Sequence, residues 1–236
     1  TADLWTMYDK VGPTLLPAVT NVIFDTVDRS TTIGIESNRE TLNFQTPISS
    51  SRTQFIDWMK MIEEAVDTNV KSDIDAFRKG EKSVVEDALN SRTSDQSRLC
   101  AMELWLWSQF DRTTEKNAAE RIDKITELIH KCSSLASGLK HDSTQIIAMR
   151  NLILCLAHHR DLVTMNFIKG KKIKEKTTSL SNSVLVQLSI KKVWDEYAPE
   201  GSQLIVCQGH LRSRYGYKYH GFGNRLAITP ITEKYF

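Results

Sequence analysis

The sequence predicts a mainly α-helical protein: a bundle of about five helices, with a small β-hairpin near the N-terminus and short extended segments at the C-terminus. Three observations predict it. Through the middle of the chain, apolar residues recur three and four positions apart, the period of a helix face. Before Ser50 the apolar residues fall in short β-branched or alternating runs, and after Gln203 such runs return. Apolar residues make up 40% of the 236 and charged residues 25%, a composition that builds a core rather than a disordered chain.

In order, Thr31-Thr32-Ile33-Gly34-Ile35 and Thr41-Leu42-Asn43-Phe44 flank the turn-like Ser37-Asn38, which reads as the hairpin, and Pro47 is expected to end it. Ser51 with Gln54 is a capping-box start for a first helix carrying Phe55, Trp58, Met59, Ile62, Val66, Val70, Ile74 and Phe77. Lys79-Gly80 suits its stop. A second helix follows Thr93, with Gln96 at the capping-box distance. Leu99, Met102, Leu104, Trp105, Leu106, Trp107 and Phe110 make it apolar on most sides, so burial on both faces is expected. Ala118, Ile122, Ile125, Ile129, Cys132, Ala136 and Leu139 form the seam of a third helix, with Gly138 near its end. A fourth runs from about Gln145 towards Phe167 after Asp142 and Ser143. Val184, Leu185, Leu188 and Trp194 predict a shorter fifth, and extended chain is expected at Leu204-Ile205-Val206-Cys207 and Arg225-Leu226-Ala227-Ile228. The tryptophans at 58, 105, 107 and 194 lie at helix-face spacing and are expected to pack in the core or between helices.

Charge and cysteine usage narrow the function classes. Lys+Arg 31 against Asp+Glu 29 gives +2, so no global field calls for nucleic acid or a membrane surface. No apolar stretch approaches the ~20 residues of a membrane span, so no membrane insertion is expected. Thr1-Ala2-Asp3-Leu4-Trp5 shows no basic and apolar regions of a secretory signal, and the absence of an initial Met is expected of an excised piece. Cys100, Cys132, Cys155 and Cys207 contain no CxxC pair, which reads as a reduced, intracellular chain.

Candidate chemistry is thin. The chain contains neither GxxxxGK[ST] nor GxGxxG, and Phe167-Ile168-Lys169-Gly170-Lys171-Lys172 lacks the glycine-rich turn that cradles phosphate. Cys155, His158 and His159 with His130 and Cys132 do not supply the paired short-spaced ligands of structural zinc. A Cys155–histidine hydrolase would need its partners brought together by the fold, and no nucleophile elbow surrounds any Ser or Cys. Lys169, Lys171, Lys172, Lys174 and Lys176 form the one strong charge cluster. It reads as a solvated helix end or, more sharply, as the docking patch of a stand-alone helical scaffold for an acidic partner. No aromatics are interleaved with these lysines to stack on bases, so nucleic acid is not expected.

The C-terminal stretch carries more. Tyr215-Gly216-Tyr217-Lys218-Tyr219-His220-Gly221 followed by Arg225-Leu226-Ala227-Ile228-Thr229-Pro230-Ile231-Thr232-Glu233-Lys234 resembles the join between linker and first AAA+ module in dynein heavy chains. That family has Tyr-Gly-Tyr/Phe-Glu-Tyr-Leu-Gly and then Leu-Val-x-Thr-Pro-Leu-Thr-Asp-Arg. The resemblance extends upstream. Ile33-Gly34-Ile35-Glu36-Ser37 and Leu42-Asn43-Phe44-Gln45-Thr46-Pro47-Ile48 are similar to the linker's hairpin, and Phe55-Ile56-Asp57-Trp58-Met59 to the helix start after it. His158-His159-Arg160-Asp161 is similar to a His-x-Arg-Asp element. Val186-Gln187-Leu188 lies near the element that leads to an aromatic pair in the family, with Trp194 in place of one of that pair. Lys218 stands where the family has Glu, His220 where Leu is common, Glu233-Lys234 for Asp-Arg and Tyr235-Phe236 for Cys-Tyr. The reversal at Lys218 puts any ion pair that the family makes there in doubt.

The resemblance implies residues 1–50 as a linker segment with the hairpin, 51–198 as the linker's helical bundle and 199–236 as the join, the module itself lying beyond. It implies a cytoplasmic, cytoskeletal motor, closer to cytoplasmic than axonemal forms. The motor would bind ATP and Mg in its ring and have the AAA+ ring of the same chain and the microtubule as partners. Homodimerisation would belong to an absent tail. For this segment alone it implies no catalysis and no cofactor. Thr229, Pro230, Ile231 and Thr232 would form the adenine-side lip of the parent's ATP pocket.

Overall fold

The computed structural model describes residues 18–37, 40–50, 54–90, 93–140, 143–169, 189–198 and 203–221. Those residues form five α-helices and two three-stranded antiparallel sheets, a mainly α fold. Contact clustering divides the chain into two units. Unit 1 holds the described residues up to Arg98 together with the segment from Gly216, and unit 2 runs from Leu99 to Tyr215.

Unit 1 opens with β1 (Asn21–Phe24), β2 (Thr31–Glu36) and β3 (Thr41–Ser49), in that spatial order. The β2–β3 hairpin is the expected one, with Ile35 opposite Leu42 and Ser37 N–H bonded to the Glu40 carbonyl across the turn. Gly34 lies flat against β3, where a Cβ would meet the Leu42 carbonyl oxygen at 2.5 Å. Two details correct the sequence reading. β1 adds a third strand, and Pro47 lies inside β3 instead of ending it. The pairing jumps from Gly34↔Asn43 to Thr32↔Ile48, so residues 44–47 bulge opposite Ile33 on an edge strand, where a missing N–H breaks no ladder bond. Buried Asn69 makes up for the interrupted ladder. Its Nδ2 donates to the Asn43 carbonyl at 2.8 Å, and its Oδ1 accepts from Gln45 N–H at 3.4 Å.

Asn69 belongs to α1 (Phe55–Arg78), whose buried face is Trp58, Met59, Ile62, Val66, Val70, Ile74 and Phe77, as the periodicity predicts. Phe55 is half-buried. The start differs. Gln54 precedes the helix without a side-chain cap, and Ser51 lies outside the described residues. The stop is a Schellman motif: Gly80 N–H bonds to the Phe77 carbonyl and Glu81 N–H to that of Ala76, with Gly80 at φ 77°. Trp58 anchors the helix on the sheet. It stacks on Phe24 at 6.1 Å, and its buried indole N–H donates to Thr32 Oγ1 at 3.1 Å.

A short helix α2 (Val84–Asn90), not anticipated from the sequence, leads to α3 (Asp95–Asp111). The cap of α3 is Ser94 rather than Thr93: Ser94 Oγ accepts from Ser97 N–H at 3.1 Å, while the Thr93 hydroxyl donates to Asp87. Arg98, 2% exposed, gathers this corner. Its Nη1 donates to the Thr93 carbonyl at 2.6 Å and to Asp87 at 3.3 Å, and its Nη2 lies 3.7 Å from Asp95.

In unit 2, α3 continues with Cys100, Met102, Leu104, Leu106, Trp107 and Phe110 buried. Trp105 corrects the expectation of an all-buried apolar set, being 41% exposed. α4 (Ala118–Ser137) and α5 (Thr144–Thr164) are joined by a short connection and pack along the predicted seam, with Ala118, Ile125 and Cys132 buried. Ser143 caps α5 by accepting from Ile146 N–H, and the helix ends in a single π-helical turn, Met165–Lys169. Trp194 is in β4 (Lys191–Asp195), not in a fifth helix; Val184, Leu185 and Leu188 lie outside the described residues. β4 pairs with β5 (Gln203–Gln208), and β5 with β6 (Leu211–Arg214) through the two-residue turn Gly209-His210. In β4, Lys191 and Lys192 pair with Cys207 and Val206 of β5.

Replacing Arg98 leaves Asp87 and Asp95 buried without their cation. Arg98→Ala is expected to destabilise unit 1 by about 3–5 kcal/mol in urea denaturation, whereas a loss below about 1 kcal/mol would mean that water replaces the guanidinium there.

Candidate functional site

The residues the sequence singles out are distributed unevenly. Thr229, Pro230, Ile231 and Thr232 lie outside the described residues, as do Lys171, Lys172, Lys174, Lys176 and the Arg225–Ile228 run. Lys169 closes the π-helical turn. Cys155 is fully buried in α5, His159 is buried edge-on to Trp107 with ring centroids 4.7 Å apart, and Arg160 pairs with its neighbour Asp161. Cys132 is buried on α4 and His130 exposed. Among the described residues no three His, Cys, Asp or Glu side chains come together as metal ligands. Burial pushes the Cys100 thiol up to about 12, so it stays protonated at neutral pH and is a poor nucleophile. Also among them, no helix is long and apolar enough to cross a membrane.

What the structure does assemble is the first half of the C-terminal motif. Tyr215 still belongs to unit 2, its N–H bonded to the Leu204 carbonyl at 3.1 Å. From Gly216 the chain lies against unit 1, and residues 216–221 have no regular structure. Gly216 and Tyr217 both take left-handed conformations, φ 69° and 57°, which turns the backbone sharply. The turn aims the next three residues at prepared partners.

Gln96, in the first turn of α3, acts as a backbone mimic. Its Nε2 donates to the Lys218 carbonyl at 2.7 Å and its Oε1 accepts from His220 N–H at 2.8 Å. The Tyr219 ring packs against the apolar cluster of Trp58, Ile62 and the sheet, and its hydroxyl donates to Glu40 Oε1 at 2.6 Å. The other Glu40 oxygen accepts from Asp95 N–H at 2.9 Å. Burial pushes the Glu40 carboxyl above its ordinary range despite both bonds. The Tyr219 phenol is raised too, first by burial and then by the adjacent carboxylate. Gly221, at φ 79°, closes the segment where a Cβ would lie 3.2 Å from Ala18 Cβ and Ser37 Oγ.

Lys218 answers the charge question raised by the sequence. Its Nζ is 2.8 Å from both Glu63 Oε1 and Asp67 Oδ2, one turn apart on α1. These two bonds, Asp67 first, raise the Lys218 ammonium. Burial lifts the Asp67 carboxyl by more than the Lys218 bond lowers it. Lys71 lies over the Tyr217 ring, 5.7 Å from its centroid. Sequence reasoning missed Glu40, Glu63 and Asp67, and it gives Gln96 only a capping-box role. A signal for two of them was present: Glu63 and Asp67 are like charges four apart on one helix face, a repulsive arrangement that calls for an outside cation.

The arrangement can hold a peptide segment by its backbone, one aromatic ring and one cation. It presents no nucleophile–base pair, and its polar groups satisfy one another. Comparison with known proteins adds no relative: no family model matches the chain, and no curated protein matches it.

The raised carboxyls set a pH dependence. Glu40, Asp67 and Asp73 are each raised chiefly by burial, so the folded chain holds protons that the unfolded chain has released. Their contribution is full below the ordinary carboxylate range and is lost as pH rises through the raised folded values. Urea denaturation from about pH 4 to about pH 8 should show this component weakening unit 1 as pH rises, and Glu40→Gln should flatten it. An unchanged slope in Glu40→Gln would exclude Glu40 as a contributor.

Proposed function

We propose that this chain is the C-terminal half of a dynein heavy-chain linker, a mechanical element with no catalytic site of its own. The observation that carries the reading is the motif itself: Tyr-Gly-Tyr-Lys-Tyr-His-Gly, then Arg-Leu-Ala-Ile-Thr-Pro-Ile-Thr-Glu-Lys, in the order and spacing of the linker–module join. Its first half is pinned to unit 1 through Lys218, Tyr219 and the backbone at 218 and 220, as a join that transmits force requires. The stiffness that a lever needs is supported by the long α1 with its closed C-terminus and by the α4–α5 pair packed along its length.

In this reading Thr229, Pro230, Ile231 and Thr232 form the adenine-side lip of the parent's first ATP pocket. The phosphates and Mg are held by the module that follows, since this chain contains no GxxxxGK[ST] loop. A proline-fixed backbone beside an aliphatic side chain suits a flat base. The AAA+ ring of the same chain and the microtubule are the partners, and the cytoskeleton is the location.

The reading frame beyond the Phe236 codon tests this most cheaply. It is expected to continue into a GxxxxGK[ST] sequence within a short distance, and the 236-residue polypeptide is expected not to hydrolyse ATP. A frame that continues without that sequence, or that stops, removes the proposal's support.

A further inference from the structure

The contacts that hold residues 216–221 differ in kind. The Tyr219 ring is packed on the apolar cluster and its hydroxyl sits on largely buried Glu40, while Gln96 grips the backbone on either side. Lys218 is open to solvent by comparison. Its side chain is 56% exposed, and its partners Glu63 and Asp67 are 43% and 24% exposed, so salt reaches the contact. Removing this one charge acts twice, because the attraction is lost and the repulsion between Glu63 and Asp67 returns. Upstream, Tyr217 is held at φ 57°, a conformation that an L side chain relieves once the segment is free. Attraction at an exposed lysine thus works against strain stored beside it.

We propose that residues 216–221 form a releasable strap on unit 1, a charge-controlled latch in which Lys218 is the key and the Glu63–Asp67 pair the lock. Screening or neutralising Lys218 shifts the strap's docking equilibrium towards the released state while the core of unit 1 stays folded. The latch stands on the geometry of unit 1 and is independent of the motor reading.

Two backbone amides make the test specific. His220 N–H donates to Gln96 and reports the docked strap, whereas Tyr215 N–H, bonded to the Leu204 carbonyl, reports the neighbouring sheet of unit 2. Amide hydrogen exchange on the 236-residue chain, resolved by NMR, is compared at about 0.05 M and about 1 M salt and in Lys218→Glu. Exchange at His220 is expected to quicken about three- to tenfold in high salt and in Lys218→Glu, with Tyr215 and the β1–β2 ladder amides unmoved. Lys218→Arg should keep the slow rate, and Glu63→Lys with Asp67→Lys should restore it to Lys218→Glu. The proposal is overturned if His220 ignores salt and charge, or if it exchanges together with the β1–β2 ladder. Should Lys218→Glu fail to fold, the salt titration of the unaltered chain and the contrast of Lys218→Arg with Lys218→Met decide the same question.

Discussion

One carboxylate brings together three stretches of unit 1 that are far apart in the chain. Glu40, at the β2–β3 turn, receives the Tyr219 hydroxyl on one oxygen and the Asp95 N–H on the other. Burial disfavours its charge, so the site is tolerable only while both donors are present. Asp95 in turn faces Arg98, and Arg98 holds Asp87 and the Thr93 carbonyl. A continuous polar chain therefore runs from the strap through the start of α3 to α2. Such networks specify one arrangement because any partial version leaves a buried polar group exposed to an apolar surround.

The magnitudes decide which contacts anchor the strap and which tune it. A hydrogen bond to a buried carboxylate and a packed aromatic ring contribute on the order of a few kcal/mol together. The two Lys218 pairs, being half-exposed, contribute about 0–1 kcal/mol each. Tyr219 and Gln96 thus fix where the strap lies, and Lys218 sets how firmly it stays there. Lys218 finds its matching carboxylates, Glu63 and Asp67, one turn apart on α1.

Much of this was legible beforehand where one interaction dominates. The buried face of α1, the α4–α5 seam and the Ile35–Leu42 hairpin follow from apolar periodicity, because burial alone decides them. The misses have other causes. The rule for central strands ends the hairpin at Pro47, but a bulge on an edge strand removes the need for its N–H. Thr93 and Ser94 are both good caps, and the choice fell to Ser94 because Asp87 claims the Thr93 hydroxyl, a partner no local pattern shows. Helix spacing places Trp194 in a helix, but its pairing partner Leu204 puts it in β4, and the segment before Ser189 lies outside the described residues. The strap's own residues were singled out by their motif, but Glu40 and Gln96 are side chains whose role exists only once residues 40, 96 and 219 meet.

The return of the strap to unit 1 is best tested by zero-length carbodiimide crosslinking, which joins a lysine to a carboxylate only at salt-bridge distance. Peptide mapping of the crosslinked chain is expected to show Lys218 joined to Glu63 or Asp67, both 2.8 Å away. The Lys82–Asp73 pair at 3.0 Å serves as a control within the same unit. A chain in which Lys82–Asp73 is joined and Lys218 is not would contradict the docked strap and the network built on it.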